Sequence, residues 1–132
     1  MRLTILAATF ALTACATAND DFSIDDMFAP VSASAVAKVE ASGAPLGSKG
    51  NPVRASMPPG QRAYLDRLRC SDGKPPAYQR GGNVGDGPYG KIVDVYMVTC
   101  AGAQPASAEV HMDMYHDHVE DRPVAGFTIV PR

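Results

Sequence analysis

Apolar and polar positions alternate most clearly late in the chain, in Glu109–Tyr115. Val110, Met112 and Met114 fall on one side of an extended chain, and Glu109, His111, Asp113 and Tyr115 on the other. This predicts a strand with one side inward and one side outward. Upstream, Lys91–Cys100 is dominated by β-branched and aromatic residues and has apolar groups on both sides, which predicts a central strand. The loop Ala101–Ser107 between them is short, so an antiparallel hairpin is expected. Gly126–Val130 reads as a terminal strand and Asn51–Arg54 as an edge segment. One stretch has helical spacing, Pro59–Arg69. Leu65 and Leu68 share a face with Gln61, Tyr64 stands beside Leu68, Pro suits the first turn, and Arg67 and Arg69 suit the C-terminal end of the dipole. So short a helix gains its stability by packing on a sheet. The predicted fold class is α+β: one short helix packed on a small antiparallel sheet, with long Gly/Pro loops.

The beginning of the chain has a different pattern. Arg2 is the only charge before Asp20, and Leu3–Ala11 is an apolar run. A bilayer span needs about 20 apolar residues. A short positive start with a brief apolar segment has the form of a secretory signal, here residues 1–14. Its end, Leu12-Thr13-Ala14-Cys15, resembles the lipobox of bacterial lipoprotein precursors. The resemblance covers the signal alone. It implies that Cys15 becomes the first mature residue and carries lipid, which anchors the chain to a membrane. Ala rather than Asp at position 16 implies sorting to the outer membrane, facing the periplasm. The alternative is a plain secretory signal cut at Ala14-Cys15-Ala16 or Ala16-Thr17-Ala18, which leaves a soluble periplasmic or secreted protein.

Export changes the reading of the cysteines. There are three. With Cys15 lipidated, Cys70 and Cys100 remain as an even pair in an oxidising compartment, and a disulfide is predicted. Two free thiols are the alternative. The pair lacks a CxxC spacing and makes a poor zinc site.

Charge divides the mature chain. Loss of Arg2 moves the formal net charge from −2 to −3. Residues 15–43 carry Asp20, Asp21, Asp25, Asp26 and Glu40 against Lys38 and are rich in Ala and Ser. That composition predicts a flexible, solvated tether. Within it, Phe22, Ile24, Met27 and Phe28 form a small apolar patch, and Ala33–Ala41 has mild helical character. These read either as a transient helix or as a docking segment. Residues 44–132 form one small domain whose modest core gains much from a disulfide. It is near neutral and has no basic run, which argues against nucleic-acid binding.

Three motifs bear on chemistry. Gly85–Gly90 matches GxGxxG, but a loop precedes it and a strand follows, whereas a dinucleotide site needs a strand and then a helix. The stretch Ser71–Gly90, with glycines at 73, 81, 82, 85, 87 and 90, reads as an irregular turn system. Its functional reading is a partner-binding loop presenting Asn83, Asp86 and Tyr89. The run HMDMYHDH, 111–118, holds all three histidines. If the strand ends near Tyr115, His116 and His118 with Asp117 or Glu120 form a candidate zinc or copper site. The competing reading is a polar strand face followed by a solvated turn. No nucleophile has a local signature: Ser71 and Ser107 sit in loops without GxSxG, and Asp113 and Asp117 read as solvated acids.

The expected function is therefore that of a non-catalytic cell-envelope lipoprotein presenting a small binding domain to a protein or cell-wall partner, with no resident cofactor. A periplasmic zinc- or copper-binding protein and a small periplasmic hydrolase are the alternatives.

Overall fold

A computed structural model describes residues 23–132. The signal and Cys15 lie outside the described residues. In chain order the elements are α1 (Ile24–Phe28), α2 (Ala33–Ala41), β1 (Val53–Arg54), α3 (Met57–Arg67), β2 (Leu68–Arg69), β3 (Ala77–Asp86), β4 (Ile92–Thr99), β5 (Ser107–Asp113) and β6 (Thr128–Ile129). Among the described residues no helix is long and apolar enough to cross a membrane.

The fold is α+β, with α3 packed on a four-stranded sheet of order β1-β5-β4-β3. β4 and β5 form the antiparallel hairpin, with Tyr96 opposite Val110 and Val98 opposite Ala108. The inner face of α3 carries Gln61, Tyr64 and Leu65, all buried. Leu65, Leu68, Tyr96, Val98, Val110 and Met112 make the centre of the core. Full burial of a leucine contributes about 2 kcal/mol. Cys70, directly after β2, is bonded to Cys100, directly after β4. The disulfide thus joins the end of the helix to the central strand. β6 pairs with β2 in a second, two-stranded sheet.

Two features differ from the periodicity reading. The sheet is mixed, because β1 runs parallel to β5, with Val53 opposite Met112. Side-chain alternation reports faces and carries no information on strand direction. Residues 77–86, read as loop, form the ten-residue edge strand β3, paired antiparallel with β4. Its glycines mark irregular pairing rather than the absence of a strand. The register shifts between Arg80 and Gly82 and again between Asn83 and Asp86, and Gly82 has φ +121°, which glycine adopts readily.

Residues 23–41, expected within the tether, carry two capped helices. Ser32 Oγ accepts from Ala35 N–H at the start of α2, Val39 is buried, and Glu40 is bonded to Arg122. The Lys91 ammonium donates to the carbonyls of Met27 (2.9 Å) and Ala29 (2.7 Å) and so fastens the end of α1 to the body.

The segment after β5 is fastened to α3. Tyr64 Oη donates to Arg122 O and accepts from Val124 N–H, and Arg67 donates to Glu120 O. Gly47 is needed where this segment meets the N-terminal loop. A Cβ there would lie 2.5 Å from Val124 Cγ1, and φ is +87°.

Candidate functional site

The site forms where β5 ends. Beyond Asp113 the chain runs beside the start of α3. Ala55 N–H donates to Asp113 O (2.8 Å), Met57 N–H to Met114 O (2.8 Å), and His116 N–H to Ala55 O (3.2 Å). The facing wall comes from the segment joining α1 to α2, and the Phe28 ring meets Tyr115 edge-on at 5.9 Å. Between the walls is an open cleft of about 300 Å³. Phe28, Val31, Val36, Met57 and Met114 supply its apolar lining, and Arg54, Ser56, His116, Asp117 and His118 its polar groups.

Arg54 is the distinctive charge. It is the one cationic side chain lining the cleft, it is half-buried, and it has no carboxylate partner among the described residues; Lys38, Lys49, Arg62, Arg69 and Lys91 also lack one but lie away from the cleft lining. Burial and the nearby Arg54 charge both lower the pKa of His118 from its ordinary value of 6.5, so this imidazole is neutral at neutral pH.

Behind the cleft lies a fixed charge network. Glu120 is buried and accepts from the backbone N–H groups of Asp121 and Arg122 and from the Arg122 side chain. Burial raises its carboxyl pKa, but these bonds to Arg122 more than offset the effect and hold it below the ordinary value. Arg122 also reaches Glu40 at 2.7 Å, so one guanidinium ties α2 to the C-terminal segment.

Asp113 departs most from the alternation pattern. It is fully buried, as is Val93 opposite it on β4. The turn around Gly87 packs against Val93 and covers this end of the second sheet face. The Asp113 carboxylate accepts from Tyr115 N–H through Oδ1, and its Oδ2 is 3.1 Å from His116 Nε2. His116 is also buried, so the wet turn expected there holds an enclosed imidazole.

The four residues of the sequence-level metal candidate are not brought together. His116 faces Asp113, Glu120 is engaged by Arg122, Asp117 is exposed, and His118 Nε2 is 3.9 Å from Glu120 Oε2. Among the described residues no three His, Cys, Asp or Glu side chains are grouped to hold a metal. His111 stands apart, with Nδ1 3.2 Å from Gly47 O. The residues of the expected partner-binding loop fall on a strand and the turn after it. Asn83 and Asp86 lie on edge strand β3, and the Tyr89 hydroxyl is buried in the following turn. Sequence reasoning missed Arg54 and the inward Asp113. The Asp-x-x-His spacing of 113 and 116 was the only signal for the latter, and it is weak by itself.

Ser56, His116 and Asp113 supply residue types used in acyl transfer, and Ser56 and His116 both line the cleft. Positions 57–59 at the start of α3 offer no amide to an oxyanion, however. Met57 N–H is taken by Met114 O, and residues 58 and 59 are prolines, which have no N–H. Met57 itself has φ +56°, a strained value for a residue with a side chain.

Comparison with protein-family models, with curated proteins and with solved structures found no match to this chain.

Proposed function

We propose that this chain is an exported lipoprotein, held to the outer membrane by lipid on Cys15 and facing the periplasm, whose folded part is a non-catalytic binding domain. The anchor rests on the Leu12–Cys15 pattern. The binding reading rests on one observation, an open cleft with an apolar lining and a guanidinium, Arg54, that has no carboxylate partner among the described residues. The occupant that fits is a segment of an envelope protein carrying an apolar side chain next to a carboxylate. The apolar group fills the space between Phe28, Val36 and Met57, and the carboxylate meets Arg54. Burial of one such side chain supplies about 1.5–3 kcal/mol, and a guanidinium–carboxylate pair fixes its orientation. A cleft of this size takes one or two side chains, so the reading is of a short linear segment rather than a broad interface.

The test places a benzoylphenylalanine photocrosslinker at Phe28, whose side chain is partly exposed at the cleft rim. The expected result is one dominant adduct from intact envelopes, lost in the Arg54→Glu background. Absence of an adduct, or an adduct indifferent to Arg54→Glu, refutes the reading.

A further inference from the structure

Four buried side-chain polar atoms lack a hydrogen-bond partner among the described residues; two of them, Asp113 Oδ2 and His116 Nε2, face each other, and a third is the hydroxyl of Tyr89, whose ring packs on His116. Each such orphan costs about 1–3 kcal/mol, so a cluster of them signals a missing occupant. Asp113 Oδ2 and His116 Nε2 are 3.1 Å apart, yet the ring N–H direction misses the oxygen and the contact is no hydrogen bond. The Tyr89 ring lies edge-on to the His116 ring, with centroids 5.0 Å apart. We infer that Asp113 and His116 are the protein ligands of a buried site for a divalent transition metal, with the Tyr89 ring packed against the imidazole.

The geometry suits this use. Ligand atoms about 2.1 Å from a metal and about 90–110° apart lie about 3.0–3.4 Å from each other, which brackets the observed separation. The metal then sits on the Nε2 lone-pair direction, off the line joining the two atoms. One imidazole nitrogen and one carboxylate oxygen are donors for zinc and its neighbours rather than for calcium. The outer bonds are in place as well. Asp113 Oδ1 is held by Tyr115 N–H, which orients Oδ2 inward. Because His116 also lines the cleft, a coordination position can open there to water. Of the expected turn candidates His116, His118, Asp117 and Glu120, this site uses only His116.

The test uses the exported chain with its disulfide formed, stripped with chelator and titrated with zinc by calorimetry. The expected result is one ion per chain, with a dissociation constant below about 10 μM. Asp113→Asn should weaken binding at least about 100-fold, because even changes outside the ligand set cost 10–100-fold. The double variant His118→Ala, Asp117→Asn should keep wild-type affinity. Substitution of buried groups can unfold the domain, so the histidine ring nitrogens of the unmutated protein are also followed by NMR. Zinc should move the His116 Nε2 resonance and leave those of His111 and His118 in place. No heat of binding together with an unmoved His116 resonance would mean that the cluster holds water only and would overturn the proposal. A shift at His118 or His111 in place of His116 would overturn it equally.

Discussion

Gln61→Leu is expected to unfold this domain at a much lower temperature, although it replaces a buried side chain with an apolar one of similar size. Gln61 is fully buried on the inner face of α3. Its Nε2 donates to Asp94 Oδ2 (3.1 Å) and its Oε1 accepts from the Tyr96 hydroxyl (3.0 Å). Asp94 is itself buried, and its other oxygen takes the Arg80 guanidinium at 2.6 Å. Leucine leaves Asp94 with one of its two donors and Tyr96 with no acceptor. A stranded buried group costs about 1–3 kcal/mol, and the apolar gain of leucine returns about 1 kcal/mol. The net cost is about 3 kcal/mol, which lowers the melting temperature by about 12 °C for a domain of this size. Thermal unfolding followed by circular dichroism, with the disulfide intact, measures it. Adding Tyr96→Phe removes the stranded hydroxyl and should restore about 1 kcal/mol, a coupling that a double-mutant cycle reads directly. If Gln61→Leu melts within about 2 °C of the parent chain, the bridge between helix and sheet does not contribute as argued.

Two further outcomes follow from the staples and charges. Replacing both Cys70 and Cys100 with alanine opens a loop of sequence separation 30 and should cost about 3.5 kcal/mol in urea unfolding; a loss under about 1 kcal/mol would contradict it. Stability should also fall in acid. The pKa values of Glu40, held down chiefly by its bond to Arg122, and of Glu120 both lie below their ordinary value of 4.5. Their contribution is therefore present above pH 4.5 and is lost as pH falls through the lowered values. Arg122→Ala should flatten the urea midpoint against pH in that window, and an unchanged slope would show that other groups carry the acid transition.

The cleft and the buried cluster share one architectural cause. Their walls come from segments far apart in the chain: 28–36, 54–57, the turn around Tyr89, and 113–118. Arg122 and Lys91 each join the N-terminal helices to the body. A ligand that displaced residues 28–36 would have to break contacts that these two cations hold.

What the chain alone determined is what local spacing reports. The alternation of Val110 and Met112, the apolar run of β4 and the Gln61-Leu65-Leu68 stripe specified the hairpin, the helix and the inner face of the core. Reading Leu3–Ala11 as an export signal predicted a disulfide between Cys70 and Cys100, and that bond is present. Tertiary structure decided the rest. Asp113 reads as an outward residue because its neighbours alternate. It is buried: the turn around Gly87 packs on Val93, which stands opposite Asp113 on β4, and Tyr89 of that turn meets His116 on the far side of the hairpin. The glycines of 77–86 read as a loop, since a bulged edge strand takes its order from backbone bonds to β4 rather than from its own side chains. Residues 33–41 read as a transient helix or a docking segment within a tether, and Glu40 there meets Arg122 across 82 positions. Periodicity carries the difference between inside and outside for one face of one element. Which surface then covers the other face is set by long-range closure, and the candidate site is built from those closures.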